Sequence, residues 1–424
     1  MSNFVFVLDT TKKPLNPVHP AQARRLLKQG KAAVFRRYPF TIILFEEITE
    51  TPKNITLKLD PGSQTTGIAL VQNNQVIWGA ELQHRGQQIQ DALTSRRQLR
   101  RGRRGRKTRY RQPRFLNRKR SEGWLPPSLQ HRVDTTLTWV KRLTRYCPIN
   151  SLAVELVKFD LQKQENPEIS GVEYRQGTLY GWEVREYLLA KFNRTCQYCG
   201  ATDRPFEIDH IHPRSKGGSD RVSKLTLACH NCNQSKGNQD IKDFLKEKPN
   251  LVNHILRQAK TSLKDAAGVN STRLKLFLSL RELGLPIETG SGGLTKFNRK
   301  RLKVPKTHWQ DASCLGKIPD DLIFKTNQPL LIQATGHGKR QRCRPNKFGF
   351  PISHASRAKL FQGFQTGDLV SALIPKGKFA GLYVGRIAIR FRPSFVLQLP
   401  EKKFDVHPKY LTIMHKNDGY NYAF

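Results

Sequence analysis

Four cysteines fall in two Cys-x-x-Cys pairs, Cys196/Cys199 and Cys229/Cys232, about thirty residues apart. Four thiolates satisfy tetrahedral zinc and leave no open position for a substrate, so the pairs predict one closed, structural Zn2+ site. Alone they describe a zinc knuckle without chemistry. Between and beside them run EIDHIHPRSKGG and LTLACHNCNQSKGN, which set an Asp-His pair, Asp209 and His210, at the end of a strand and Asn233 directly after the second pair. A neutral imidazole takes up a proton near pH 7, and oxygen donors hold a hard cation that stabilises a leaving oxygen. That combination suits hydrolysis of a phosphodiester. His212 and His230 read as loop residues or as supports for the ligands rather than as catalysts. Cys147, Cys314 and Cys343 stand alone and read as buried or incidental.

A second set of chemistry-bearing residues is scattered. Two-metal phosphodiester hydrolysis needs several carboxylates around cations roughly 4 Å apart, and adjacent strands can bring them from distant parts of a chain. Asp60 ends the strand ITLKLD, Glu155 lies in the strand SLAVELV, and Asp311 begins a helix with His308 three residues before it on the same face. Singly, these are a turn Asp, a strand-edge Glu and an N-cap Asp.

The elements that must position them follow from periodicity. Residues 1–53 form a small module: a strand from Phe4 to Leu8, a turn at Pro14, Leu15, Asn16 and Pro17, a basic helix from about Pro20 to Gln29, and a strand from Phe40 to Phe45. From Asn54 come ITLKLD, the turn PGSQTTG, the strand IALVQ and the strand QVIWGAEL; strands joined by such a turn, with a carboxylate ending the first, are how a ribonuclease-H-like sheet begins. Residues 95–120 are more than half basic, and Gly102, Gly105 and Pro113 argue against one uninterrupted helix. Apolar residues at Leu129, Val133, Leu137, Val140 and Leu143 predict a helix over 129–146, and further helices are expected at 179–192, 250–266 and 272–283. TGSGGLT reads as a Gly-rich turn, and GDLVSALI, AGLYVGRIAIRF and SFVLQL give a β-rich end.

Lys and Arg number 74 against 33 Asp and Glu, a formal charge of +41 over 424 residues. A polyanion relieves such self-repulsion and gains entropy from released counterions, so nucleic acid is the expected partner. A 37% hydrophobic fraction with periodic segments excludes a disordered basic tail. No stretch approaches the roughly 18 apolar residues of a membrane span, and the first residues lack a basic region followed by a long apolar run, so a cytoplasmic protein is expected. An odd cysteine count with paired Cys-x-x-Cys motifs points to metal rather than disulfides.

The order of these motifs carries a resemblance. L-D-P-G-S-x-x-T-G, A-V-E-L and K-T-H-W-x-D-A resemble the three split RuvC motifs of the transposon-encoded IscB family, relatives of CRISPR type II effector nucleases. The Cys/His block resembles that family's inserted HNH domain, whose motif runs D-H-x-x-P … C-x-x-C-N-x-x-K-G, and the arginine-rich segment its bridge helix. PLNP resembles the family's N-terminal PLMP module, with Asn16 where Met is usual, and FQTGDLVSALIPKGKFAGLYVGRIAIR resembles its C-terminal domain. The motif's middle Asn is replaced by Lys224 in VSKL.

The resemblance implies an α/β fold: a ribonuclease-H-like (RuvC) mixed sheet split by insertions, a zinc-bound ββα-metal HNH domain, an arginine-rich bridge helix and a β-rich C-terminal domain. The expected divisions are a PLMP-like module (1–53), RuvC segment I (54–94), bridge helix (95–120), RuvC segment II (121–192), HNH domain (193–245), RuvC segment III (246–318) and C-terminal domain (319–424). It implies two Mg2+ on Asp60, Glu155 and Asp311 with His308 beside them, and one Mg2+ on Asp209 and Asn233 with His210 activating water. Arg96, Arg97, Arg100, Arg101, Arg103, Arg104, Arg106, Lys107, Arg109, Arg111 and Arg114 would meet phosphates, and Tyr110 and Phe115 offer rings for stacking on bases or packing on the sheet. The implied partners are a structured guide RNA and double-stranded DNA with a short flanking motif, around a monomeric protein. The HNH centre would cut the guide-paired strand and RuvC the displaced one. Only about thirty residues separate the bridge from the Glu155 strand, too few for a guide-recognition lobe, so the RNA itself would supply that architecture. The competing readings are a guide-independent HNH or junction nuclease and a non-catalytic RNA-binding regulator.

Overall fold

The computed structural model describes residues 2–49, 52–106, 124–156, 182–192, 194–202, 204–260, 264–336, 343–348, 350–354, 358–390 and 394–423. The N-terminal module holds β1 (Val5–Leu8), β2 (Pro14–Val18), helix α1 (Pro20–Lys28), β3 (Ala32–Arg36) and β4 (Thr41–Leu44), in the sheet order β2-β1-β4-β3. PLNP is therefore a strand, not a turn. Two prolines fit there because β2 is an edge strand, where a missing N–H leaves no ladder bond unmade. The strand β3 was not foreseen, since its AAVFR sequence lacks alternation.

Next come β5 (Ile55–Pro61), β6 (Thr65–Gln72) and β7 (Gln75–Gln83), three antiparallel strands, with unbroken register between β5 and β6 and a shift between Leu70 and Val71 where β6 meets β7. Helix α2 (Gly86–Gly105) starts before the expected basic segment and runs through Gly102, where nothing crowds the helix. Helix α3 (Pro127–Tyr146) opens with proline in the first turn, where its missing N–H is harmless, and buries Val133, Trp139, Val140 and Leu143 against the sheet. Strand β8 (Ile149–Glu155) then pairs parallel with β5.

Helix α4 (Trp182–Lys191) leads into a small unit with its own core: β9 (Phe206–His210), β10 (Leu225–Cys229), α5 (His230–Lys236), α6 (Ile241–Phe244) and α7 (Pro249–Lys260). The expected start of α4 at 179, and residues 261–263 of the expected 250–266 helix, lie outside the described residues. Helix α8 (Lys264–Arg281) returns the chain to β11 (Ile287–Gly290), parallel beside β8.

The expected Gly-rich turn is instead the end of β11 and the start of helix α9 (Gly292–Arg301), whose first turn Ser291 caps by accepting from the Leu294 N–H. Helix α10 (His308–Ser313) is capped by Thr307 in the same way. Strands β12 (Ile323–Phe324) and β13 (Leu330–Ala334) both pair parallel with β7. A hairpin, β14 (Cys343–Pro345) and β15 (Pro351–His354), precedes a five-stranded antiparallel sheet of β16 (Leu369–Ile374), β17 (Gly381–Ala388), β18 (Phe395–Gln398), β19 (Lys403–Val406) and β20 (Leu411–His415). The last strand, β21 (Tyr420–Ala423), pairs antiparallel with β13.

The central mixed sheet thus runs β11-β8-β5-β6-β7-β13-β21, with β12 also on β7. The boundary expected at 318/319 is displaced: 323–334 and 420–423 both complete the central sheet. Unpaired edge N–H and C=O groups of β7 would otherwise lie open; β12 and β13 cover them, and β21 in turn covers the edge of β13. Among the described residues no helix is long and apolar enough to cross a membrane.

Candidate active sites

Asp60, Glu155 and Asp311 meet at one end of the central sheet. In the β5–β8 register Leu59 lies opposite Val154, which sets Asp60 beside Glu155 on neighbouring strands. Across the other side of β5, Asp60 pairs with Gly67. A Cβ on Gly67 would lie 1.8 Å from the His308 carbonyl oxygen, and one on Gly79 would lie 2.4 Å from the Trp309 ring. Only glycines let α10 lie directly on β6 and β7, and that seating carries Asp311 to the other two acids. Glu81 fixes the helix start by accepting from the His308 N–H at 3.0 Å. Lys58, buried on β5, donates to the carbonyls of Ser313 (3.4 Å) and Leu315 (2.8 Å) at the helix end. Asp311 sits one turn into α10 rather than at its start, with His308 exposed at the first position.

The three carboxylates act on one another. Asp60 keeps some contact with solvent but is densely ringed by protein, and this desolvation, then Glu155 and Asp311, pushes its pKa well above the usual carboxylate range. Asp311 is also raised, chiefly by desolvation, against the opposing pull of Arg299 and Arg194. Arg273 donates to Glu155 at 3.1 Å and to the Pro61 carbonyl at 3.1 Å, and Arg299 pairs with Asp311 at 2.9 Å. Gly292 belongs to the same cluster, because a Cβ there would come within 3.3 Å of both Glu155 oxygens. These arginines carried no signal in the sequence, because in so basic a chain they look like surface charge. Hard oxygen donors crowded against their own repulsion suit divalent cations. The acids are nonetheless spread more widely than the cysteines discussed next.

Among the described residues, Cys196, Cys199, Cys229 and Cys232 are the group whose ligand atoms all lie within 4.8 Å of one another. All four are free thiols, and the Cys199 and Cys229 sulfurs are 3.7 Å apart. Tetrahedral zinc with Zn–S near 2.3 Å places sulfurs about 3.8 Å apart, so the set fits. The Cys229 N–H donates to the Cys196 sulfur at 3.2 Å, and the Ala201 backbone holds the Cys199 thiol down to about 7. The four sulfurs tie the loop before β9 to the junction of β10 and α5.

That junction places the HNH residues. His210 bonds through Nε2 to Asp220 at 2.7 Å, and Arg214 holds the other Asp220 oxygen at 3.1 Å. Asp209 is buried, accepting from Lys236 Nζ at 3.1 Å and from the Tyr198 hydroxyl. Asn233 instead donates to Glu207 at 2.6 Å, and His230 bonds the other Glu207 oxygen at 2.7 Å. Asp209 and Asn233 therefore sit on the same small unit with different hydrogen-bond partners. Glu207, Asp220 and Tyr198 were missed in the sequence, and Lys236, the lysine of the HNH motif, was given no role there; Glu207 had a signal, since residues two apart on a strand share a face. His212 bonds Asp240 at 2.7 Å, consistent with a loop role. Lys224 is exposed, and its backbone makes the local contacts, accepting from the Ile211 N–H at 3.0 Å.

Of the basic segment, Arg96, Arg97, Arg100, Arg101 and Arg106 are exposed on or just after α2, while Arg103 and Arg104 are half-buried. Arg106 donates to the Lys347 carbonyl at 2.7 Å, joining α2 to the β14–β15 hairpin. Lys107, Arg109, Tyr110, Arg111, Arg114 and Phe115 lie outside the described residues.

Residues 5–177 match the family model described as RRXRR protein, and residues 196–239 match that of HNH endonuclease. The chain carries an HNH endonuclease domain. A 49-residue stretch is 49% identical to the CRISPR-associated endonuclease Cas9 of Corynebacterium diphtheriae, covering 11% of this chain and 4% of that protein. Among solved structures the chain is similar to Streptococcus thermophilus Cas9 in complex with the GGAA PAM, at 13% identity over 62% of this chain and 32% of that one, TM-score 0.22. It is also similar to the Type II-C Cas9 enzyme from Actinomyces naeslundii, at 14% identity over 70% and 50%, TM-score 0.18. The chain thus spans a third to a half of the length of those structures, and scores this low establish no shared overall arrangement.

Proposed function

We propose that this chain is an RNA-guided DNA endonuclease with two hydrolytic centres, in keeping with its resemblance to the IscB family. The HNH centre would cut the guide-paired strand, and a ribonuclease-H-like, RuvC-type centre the displaced strand. The observation that carries the reading is the meeting of Asp60, Glu155 and Asp311 at one sheet end, from positions far apart in the chain. Three antiparallel strands with parallel β8 and β11 added beside β5 agree with a ribonuclease-H-like sheet. The HNH match and the short Cas9-like stretch agree with DNA as substrate.

Two Mg2+ in the first centre and one in the second would supply Lewis-acid stabilisation of the attacking and leaving oxygens. Asp60, Glu155 and Asp311 are the residues to hold the pair, with Arg273 and Arg299 orienting Glu155 and Asp311. His308, exposed one turn before Asp311, would move a proton at the open face. In the HNH unit, His210 with Nε2 hydrogen-bonded to Asp220 leaves Nδ1 as the atom that takes the proton from water. Asp209 and Asn233 are its proposed ligands, with Glu207 beside Asn233 as a further oxygen donor. The exposed arginines of α2 would neutralise phosphates of the RNA or its heteroduplex with DNA, and the β16–β20 unit would read a flanking motif.

The test is RNA isolated with the protein under nuclease-free conditions, sequenced, and used to direct cleavage of end-labelled duplex DNA. A discrete structured RNA with a variable end is expected. Asp60→Ala should then nick only the guide-paired strand and His210→Ala only the displaced strand. Cleavage that ignores the RNA would leave a guide-independent HNH nuclease.

A further inference from the structure

A groove of about 960 Å3 opens where the N-terminal module meets β7, β13 and the turn after β20. Phe35 and Phe40 line it with 38% and 37% of their surfaces exposed. Arg24, Arg37 and Lys416 line it too, and among the described residues none of the three forms an ion pair. The carboxylate in its wall, Asp418, is already matched by Arg36 at 3.2 Å and Arg142 at 2.9 Å. The groove therefore presents aromatic faces flanked by cations with no anion of their own.

That is the chemistry of an unpaired nucleic-acid strand, whose bases stack on rings while its phosphates meet the cations. An apolar peptide would cover three charges without a partner. A duplex hides its base faces, and this volume is that of a small-ligand site.

The groove also lies on the side of the central sheet away from the carboxylates. Trp78 of β7 lines it, whereas the next residue, Gly79, faces Trp309 of α10, and successive strand residues point to opposite faces. A strand lying here is not the one being cut. We propose that the groove seats one or two unpaired nucleotides of the RNA partner and so anchors the RNA away from the scissile DNA. This rests on the RNA-guided reading above.

The test uses the full chain with three labelled probes: a 12-nucleotide oligouridylate, the matching oligodeoxythymidylate and a 12-base-pair RNA duplex. Ultraviolet crosslinking to the oligouridylate should mark peptides spanning 33–40 and 413–418. Phe35→Ala with Phe40→Ala should weaken oligouridylate binding at least about fivefold per stacked base, with duplex binding unchanged. Arg24→Ala, Arg37→Ala and Lys416→Ala together should lower the salt slope by about 2, from ~0.7 per phosphate contact on single strands. All five side chains are exposed, and an unchanged melting midpoint checks that the variants fold. Equal losses on duplex, equal losses on the DNA strand, or no loss at all would each overturn the proposal. A wild-type chain that binds no RNA would instead sink the RNA-guided reading itself.

Discussion

Replacing Gly67 with alanine tests whether the seating of α10 makes the carboxylate centre. The alanine Cβ would lie 1.8 Å from the His308 carbonyl oxygen and 2.9 Å from the Trp309 nitrogen, both backbone atoms that no rotamer change can move. A strand accepts alanine readily, so the cost is steric. Restoring an ordinary contact near 3.4 Å requires α10 to back away by about 1.5 Å. Overpacking of this kind costs about 1–3 kcal/mol, and a misplacement of about 1 Å at reacting groups can cost about 100-fold in rate. The assay follows cleavage of duplex DNA with each strand labelled separately, alongside thermal melting. Displaced-strand cleavage should fall about 100-fold while guide-paired cleavage by the HNH unit, which has its own core, is retained. Gly102→Ala is the control, because a Cβ there meets nothing and helix propensity improves. Displaced-strand cleavage by Gly67→Ala within threefold of the parent would refute the idea that α10 sets the geometry.

Other perturbations read other parts of the molecule. Lys236→Ala strands the buried Asp209 carboxylate without its ammonium, so the HNH unit should lose about 3–5 kcal/mol and become protease-sensitive, as limited proteolysis would show. Arg97→Ala with Arg101→Ala should reduce the salt slope for single-stranded RNA by about 1.4, and an unchanged slope would remove α2 from the interface. Asp60→Asn should raise the melting midpoint at neutral pH without divalent cations. The folded carboxyl has a raised pKa, so the wild type loses stability as pH climbs from the unfolded value of 3.8 through the folded one, and the asparagine never acquires that charge. The gain should shrink toward acid pH, and added Mg2+ should stabilise the wild type more than the variant, both followed by calorimetry.

The sequence carried more of this molecule's chemistry than of its geometry. Helix α3 was legible because its apolar spacing is regular, and the thiol cluster because tetrahedral zinc calls for that residue type in paired spacing. Strand β2 was read as a turn because proline usually marks one, and only its place at a sheet edge makes it a strand. TGSGGLT was read as a turn because Gly292 looks like flexibility, whereas its missing side chain makes room for Glu155. Arg273 and Arg299 were invisible for a different reason. Nothing among the 74 Lys and Arg of the chain marks the few that turn inward, and only a buried carboxylate on another element gives them a role.

The same logic explains how a site can be split across 250 residues without falling apart. Parallel strands cannot be joined by a tight turn, so β8 and β11 need a crossover in any case. The ends of that crossover, Glu155 and Ile287, are fixed by the sheet, and closing a longer loop between fixed ends costs only about 0.6 kcal/mol per doubling of its length. A whole unit with its own core and thiol cluster can therefore occupy the crossover without disturbing the carboxylates at its root. The position more exposed to change is the glycine seat under α10, because Asp60 and Glu155 are held together by neighbouring strands whereas Asp311 reaches them only through the close approach of α10 to Gly67 and Gly79.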